Sequence, residues 1–293
     1  MSHSQSVIQI AVAMTCHNRR PKTVNCLERL YAQEGINENF SLDIFLVDDG
    51  STDGTAQEVE KLFPQVNIIQ GTGSLFWNGG MHIAYGEALK GDYDFYLWIN
   101  DDVSLYPNAI SHLIQTYQQV KAENDKESII LGGMADPETG ACTYGGFARL
   151  GSWSLRMREV SPHPDTPVRC DANTGNCVLI SRAIARWIGN IEPYYRHRWG
   201  DPDYGLRAGK MGFQLWLAGG FVGECENNPT AERWRDSGLS LKARLSDFHS
   251  VKGYGKKDWK FYVRRHGGPL WFLLWLKPYL DMIVASFWKK NYI

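Results

Sequence analysis

Three short acidic runs stand out as places where this chain could do chemistry. The first, Asn100-Asp101-Asp102, follows an apolar run at residues 95–99. In an extended segment side chains alternate, so Asn100 and Asp102 face one way and Asp101 the other. Carboxylates at a strand end suit Mg2+ or Mn2+, which take oxygen ligands and complete their shell with substrate phosphates. The same residues could equally form a solvated turn or a helix cap ahead of Pro107. The second run, VDDGSTDGT, also ends a strand-like segment. Asp48 and Asp49 could accept hydrogen bonds from the base and ribose of a nucleotide, while Ser51, Thr52 or Asp53 could simply cap the next helix. In the third, RWGDPDYGLR, Asp201 and Asp203 either serve catalysis or pair with Arg198 and Arg207.

Between the first two lies GTGSLFWNGG. It is not a dinucleotide fingerprint, because the third glycine would fall on Phe76 and the loop follows a third strand. Gly71, Gly73, Gly79 and Gly80 still let backbone approach a ligand closely.

These runs need a scaffold, and the first hundred residues supply one. Strand patterns at 7–15, 41–47, 66–69 and 93–99 alternate with helical spacing near Val24–Tyr31, Ala56–Phe63, Met81–Leu89 and Pro107–Val120. Such alternation predicts an α/β fold, a mostly parallel sheet with helices on both faces. Ligands of such sheets sit beyond the carboxyl ends of the strands, which is where Thr15, Asp48–Asp49, the glycine loop and Asn100–Asp102 fall. After a looser middle, ordered blocks run through NTGNCVLISR, the third acidic run and FQLWLAGGFVG.

The formal net charge of −1 excludes a globally basic nucleic-acid binder, and 22% charged with 13% aromatic residues excludes disorder. Charge is nevertheless uneven. Residues 240–293 hold eleven Lys/Arg against three acids, a net of +8, leaving 20 against 29 elsewhere, a net of −9. A basic tail points to an anionic partner. The six cysteines form no CxxC pair and no zinc spacing, so they read as reduced, buried thiols of a cytosolic protein. Residues 1–15 have no signal-peptide pattern, and no apolar run is long enough to span a bilayer.

Taken in order, VDDGSTDGT, INDD and GDPDYGLR resemble a family 2 glycosyltransferase with the GT-A fold, over roughly residues 8–223 and more loosely into KFYVRRHGG. GSLFWNGGMHIAYGEAL closing on INDDV is similar to the bacterial branch that builds O-antigen and capsule, rhamnosyltransferases included. The resemblance implies a catalytic domain over 1–238, with a nucleotide-sugar half at 1–125 and an acceptor half at 126–238. A basic, aromatic extension follows at 239–293. It implies that Thr15, Asp48 and Asp49 hold the nucleotide of a UDP-sugar or dTDP-rhamnose, with Gly71, Trp77, Asn78, Gly79 and Asp101 nearby. Asn100-Asp101-Asp102 falls at the family's DXD motif, making Asp102, with Asn100, the ligand of Mg2+ or Mn2+. Asp201 aligns with the base that deprotonates the acceptor hydroxyl in a single inverting displacement, and Gly200 replaces the Glu usual before it. The His usual after the last strand is missing, leaving His249 and His266 as replacements to test. Acceptor contacts are expected from Tyr144–Gly146, Trp153, Asn173–Asn176, His197, Trp199 and Asp203. Arg233-Trp234 follows Thr230, not the Gln of a processive synthase. A sugar-1-phosphate nucleotidyltransferase is the alternative enzyme, although TCHNRRPK lacks its glycine loop. A degenerate scaffold in a glycan-assembly complex is the non-catalytic alternative.

The tail sequence LWFLLWLKPYLDMIVASFWKK lines up Lys277, Asp281 and Lys289 as one narrow polar stripe on a broad apolar helix. Trp271, Trp275, Tyr279 and Trp288 suit a headgroup boundary, and Pro278 would kink or restart the helix. Lys252, Lys256, Lys257, Lys260, Arg264 and Arg265 add attraction to anionic lipid. The expectation is an interfacial helix on the inner face of the cytoplasmic membrane, near a lipid-linked acceptor. The competing expectation is a helix packed on the catalytic domain or on a second subunit as a homodimer.

Overall fold

The computed structural model describes residues 7–151, 154–227 and 232–290. Three strand–helix units and a fourth strand open the chain: β1 (Ile8–Cys16), α1 (Arg20–Tyr31), β2 (Phe40–Asp48), α2 (Thr55–Leu62), β3 (Asn67–Gln70), α3 (Phe76–Ala88) and β4 (Phe95–Ile99). The strands lie parallel in the order β3-β2-β1-β4. Because β2 and β4 flank β1 on opposite sides, the order reverses there, and a crevice opens beyond the carboxyl ends of β1 and β4. β1 is apolar throughout because both its faces are covered. Ile10, Val12 and Met14 pack with Leu27 and Leu30 of α1. Ala11 and Ala13 face Met81, Ala84 and Tyr85 of α3, and their small size lets that helix lie close.

The chain continues through β5 (Ser104–Leu105), α4 (Ala109–Asn124), β6 (Ser128–Ala135), β7 (Cys142–Tyr144), β8 (Gly146–Arg149), β9 (Met157–Val160), β10 (Val168–Cys170), β11 (Ala172–Asn173) and β12 (Cys177–Ser181). Then follow α5 (Arg182–Ile188), α6 (Gly200–Lys210) and β13 (Gln214–Glu224). β13 is parallel to β6, but β12 runs antiparallel between β4 and β6, with Cys177 opposite Ile99. This departs from a uniformly parallel sheet for a physical reason. No crossover helix precedes β12, and a strand reached through short turns must return antiparallel. The consequence is functional: β12 starts beside the end of β4, so Asn173–Asn176 reach the crevice.

The tail forms α7 (Leu241–His249), α8 (Lys256–His266) and α9 (Trp271–Lys290). It closes a third apolar cluster, in which Phe248, Trp259, Tyr262 and Met282 pack against Tyr195 and Leu206 of the catalytic region. Trp271, Trp275 and Tyr279 turn inward onto that cluster, correcting their expected place at a headgroup boundary. The opposite face of α9 exposes Phe272, Leu273, Leu276, Leu280, Ile283 and Val284, with Leu270 exposed just ahead of it. Pro278 sits inside α9 without ending it, and Lys277 pairs with Asp281 at 2.6 Å. The side chains of Trp288 and Lys289 lie outside the described residues. No helix among the described residues is long and apolar enough to cross a membrane.

Candidate active site

An open cleft of about 1520 Å³ lies at the crevice. Thr15, Asp49, Trp77, Asn100, Asp101, Asp102, Asn176, His197, Trp199 and Asp201 line it, together with Tyr144, Gly145, Gly146 and Asn173. Trp153 and Thr230 lie outside the described residues.

Five residues expected at the ligand do not line the cleft, and each is occupied elsewhere. Asp48 is buried at the end of β2, where Oδ1 accepts the Ser51 amide at 2.9 Å. Gly71 packs against Asp49, and Gly79 against Leu75. Asn78 is fully buried, its Nδ2 donating to the Glu192 and Tyr195 carbonyls at 2.9 and 2.7 Å. Asp203 faces away from the cleft, since residues two apart on a helix point in different directions. It is 0% exposed.

Asp49 holds the glycine loop in place. Its Oδ1 accepts the Gly73 amide at 2.7 Å, and its Oδ2 accepts those of Leu75 and Phe76 at 2.9 and 3.1 Å. This satisfies the orphan donors at the start of α3. Phe76 adopts φ +57 there, an uncommon conformation for a bulky residue that the capping carboxylate fixes. Asp53 caps α2 in the same way, accepting the Thr55 amide at 3.1 Å. Thr15 donates to the Val47 carbonyl at 3.1 Å. A β-carbon on Gly80 would collide with Thr15, so α3 can settle over the end of β1 only with glycine there.

The INDD run is densely bonded. Trp77 Nε1 donates to Asn100 Oδ1 at 2.7 Å, and the Trp77 ring lies against Gly175. Asp101 accepts from Thr23 Oγ1 at 3.3 Å and from Arg19 Nη1 at 3.3 Å. Burial, with Asp102 next to it, pushes the Asp101 carboxyl up to about 7. Asp102 accepts from Arg19 Nη1 at 2.7 Å, and the Cys225 thiol lies 3.7 Å from its other oxygen. Among the described residues no three His, Cys, Asp or Glu side chains gather as a cage. His249 instead meets the Tyr279 hydroxyl at 3.2 Å, and His266 is buried against Asp203 at 2.7 Å. Neither supplies the missing ligand. The carboxylate oxygens of Asp102 fit a hard cation that brings phosphate and water oxygens with it.

Across the cleft, Asp201 stands in the first turn of α6. Its Oδ2 accepts the Gly175 amide at 3.0 Å. Burial outweighs that bond and the charge of Arg198, pushing the carboxyl up to about 7. A carboxylate so poised suits general-base work near neutral pH. Gly200, just before it, has no room for a side chain because Asn78 Oδ1 fills the space. That explains why Glu is absent here: Asn78 ties α3 to the Glu192–Tyr195 turn through the same gap.

The aromatic wall behind Asp201 comes from the tail, a contribution the sequence reading did not foresee. Trp199 adopts φ +79, donates Nε1 to the Tyr254 carbonyl at 3.0 Å, and packs on Tyr262 and Trp259 at 4.6 and 5.2 Å between centroids. Trp234, Tyr254, Trp259 and Tyr262 line the cleft. His197 packs edge-on to Phe76. Burial, with Arg198, Lys252 and Arg19 around it, lowers its pKa to about 4, so it is a neutral imidazole. Arg19, Arg198 and Lys252 also line the cleft; the charged CHNRRPK run directly after β1 was the signal for Arg19.

The sequence profile of glycosyl transferase family 2 matches residues 11–131. An N-acetylglucosaminyl-diphospho-decaprenol L-rhamnosyltransferase of Mycobacterium tuberculosis is 25% identical over 219 residues, covering 66% of this chain and 68% of the relative. Among solved structures, the mannosyltransferase PcManGT of Pyrobaculum calidifontis, in complex with GDP-Man and Mn2+, superposes with TM-score 0.54 at 14% identity, over 97% of this chain and 72% of that one. GalNAc-T7 with UDP, GalNAc and Mn2+ gives 0.56 at 12%, over 92% and 56%. TarS of S. aureus gives 0.53 at 14%, over 95% and 81%. With its acidic runs gathered at one end of such a sheet, the chain shares the fold of these glycosyltransferases and is similar to glycosyl transferase family 2 over residues 11–131.

Proposed function

We propose that the chain moves one sugar, with inversion, from a UDP-sugar or dTDP-rhamnose to a hydroxyl of a glycan or lipid-linked acceptor in bacterial surface-polysaccharide assembly. The observation that carries this reading is Asp201, a carboxylate poised near neutrality across the cleft from Asp101 and Asp102. Asp201 takes the acceptor proton as the hydroxyl oxygen bonds to the anomeric carbon, and the bond from that carbon to the diphosphate breaks. Nucleoside diphosphate leaves, and the proton stays on Asp201. Thr15 and the Asp49-pinned loop bound the nucleotide end. Trp199 and the tail aromatics offer flat faces to acceptor sugars. Asp102 would hold Mg2+ or Mn2+, with Asn100, the other expected ligand, giving its Oδ1 to the Trp77 indole; the cation would supply charge compensation at the diphosphate. Dependence on such a cation is supported by the Mn2+ in two structural relatives, and rhamnose by the mycobacterial relative. A thermal-shift screen of nucleotide-sugars with Mn2+ tests the donor: a bound donor raises the melting point by mass action. No shift with any nucleoside diphosphate would sink the reading.

The same reading places the protein on the inner face of the cytoplasmic membrane through the exposed face of α9, flanked by exposed Lys256, Lys257, Lys260 and Arg264 on α8. Arg265 is withdrawn from that role by its pairing with Asp203 and Glu192. Truncating α9 would strip the third core cluster, so the test is Leu273→Glu with Leu280→Glu. Wild type should float with anionic vesicles at low salt and the variant should not. A wild type that stays at the bottom, and sediments as a dimer the variant cannot form, would assign this face to a second subunit instead.

A further inference from the structure

One of the two carboxylate charges at the INDD run is already offset by the chain itself. Arg19 Nη1 lies 2.7 Å from Asp102 Oδ2 and 3.3 Å from Asp101 Oδ1, so one nitrogen bridges both carboxylates. The neighbouring oxygens are committed as well: Asn100 Oδ1 to the Trp77 indole and Asp101 Oδ2 to the Thr23 hydroxyl. A divalent cation arriving alone would meet a carboxylate pair that already holds a positive charge and would have to compete with it.

The guanidinium is built to move while its root stays fixed. The Arg19 carbonyl accepts the Thr23 amide at 2.9 Å, which holds the backbone at the start of α1, while the single Thr23 hydroxyl proton serves Asp101. The side chain is 44% exposed. Ion pairs with one partner that open to water are weak and break readily. Among the described residues both carboxylate contacts use Nη1 alone, which leaves the rest of the planar fork for another anion. A fork of parallel N–H groups matches phosphate oxygens.

We propose that Arg19 is a displaceable counter-ion of Asp101 and Asp102, which a divalent cation must expel and which then turns onto the diphosphate of the donor. This rests on the nucleotide-sugar reading above. Arg19 thereby makes cation and diphosphate bind together: each completes a charge pair that the other has opened. Free Mn2+ competes with the guanidinium and binds poorly. Mn2+ arriving with a nucleoside diphosphate frees Arg19 and gives it a new anion at once.

The test titrates Mn2+ by its electron paramagnetic resonance signal, and dTDP and UDP by calorimetry, on wild type, Arg19→Gln and Arg19→Lys. Wild type should bind Mn2+ weakly alone and on the order of tenfold more tightly with a nucleoside diphosphate. Arg19→Gln should bind Mn2+ alone on the order of tenfold more tightly than wild type, yet lose nucleoside diphosphate affinity by a similar factor. Arg19→Lys, which keeps the charge without the fork, should restore the weak Mn2+ binding and only part of the nucleotide affinity. Unchanged or weaker Mn2+ binding in Arg19→Gln overturns the counter-ion role, and unchanged nucleotide affinity overturns the diphosphate role. Circular dichroism of each variant guards against misfolding, and an Arg19→Gln protein that unfolds is replaced in the comparison by Arg19→Met, which removes the charge and is expected to give the same two changes. A wild type that binds no nucleoside diphosphate under any condition would instead remove the donor reading on which the proposal stands.

Discussion

Two carboxylates two residues apart on α6 live in opposite surroundings. Asp201 faces the cleft with the Gly175 amide as its near donor, and burial raises it to about 7. Asp203 is fully enclosed, yet its carboxyl is held below the usual range. Burial alone would raise it, but His266 at 2.7 Å, Arg207 at 2.8 Å and Arg265 at 3.1 Å together outweigh that cost. Tyr195 adds a hydroxyl at 3.1 Å. One helix thus carries a proton acceptor on one side and an anchor that is charged at neutral pH on the other. The anchor's partners Arg265 and His266 belong to α8, so the tail fixes the orientation of the helix that presents the base. Role follows from environment, and the two sites can be broken separately.

The largest expected effect is at Asp201. Asp201→Asn keeps the shape and removes the basicity, so turnover should fall by about a hundred- to ten-thousandfold, with dTDP or UDP affinity held within about twofold. Isothermal titration and product assay check it together. An equal loss in a folded Asp203→Asn protein would move the base assignment. Next comes Asp203→Ala, which strands Arg207 and Arg265 against a buried void. Urea unfolding should show a loss of about 3–5 kcal/mol, with residual activity falling only as far as the folded fraction does.

How much of this was legible in the sequence depended on distance along the chain. The strand ends, and with them the position of the INDD run, were legible because continuous apolar runs stop where the polar residues begin, whereas the role expected of Asp201 came only from the family resemblance. Asp48, Gly71, Gly79 and Asn78 misled because a residue that ties loop backbone has the same chemistry as one that ties a ligand. Asp49 shows the overlap most clearly: its oxygens accept three amides, and it still lines the cleft. Asp203 was half-read, since Arg207 is one turn away but His266 is 63 residues on, and no local pattern links them. The glycine at 200 made no sense until Asn78 was seen filling its side-chain space.

Titration separates the two carboxylates by sign. Activity should rise with pH as Asp201 ionises, by about tenfold per unit well below 7 and levelling above it. Stability should move oppositely. A carboxyl whose folded pKa is raised contributes stability that is full below its unfolded value and is lost as pH rises through about 7. Asp201→Asn should therefore be more stable than wild type at pH 8, by on the order of 1–2 kcal/mol with water reaching the cleft, and equal to it near pH 4. Asp203 has the depressed pKa, so its contribution is present at neutral pH and fades as the pH falls through its folded value. Thermal melts at pH 4 and 8 measure both. A wild-type-like melt of Asp201→Asn at pH 8 would mean that Asp201 is better solvated than its surroundings indicate.

The smallest expected effect tests which form of His266 meets Asp203. Burial lowers its pKa despite the neighbouring carboxylate, so the ring should be neutral, with Nε2–H donated to Asp203. Its Nδ1 is buried without a partner among the described residues, which an imidazole nitrogen without a proton tolerates better than an orphaned donor would. Gln places an amide nitrogen near the position of Nε2, so His266→Gln keeps the bond and loses only ring contact with Tyr262, 5.0 Å away between centroids. At pH 7.5 it should cost about 1 kcal/mol or less. At pH 5.5 the order should reverse or close. A histidine with a lowered folded pKa takes up its proton more readily in the unfolded chain, so wild type weakens as pH falls while the Gln variant does not. Were the ring instead an imidazolium paired with Asp203, wild type would gain on the variant at pH 5.5, and urea titrations at the two pH values would show the gap widening.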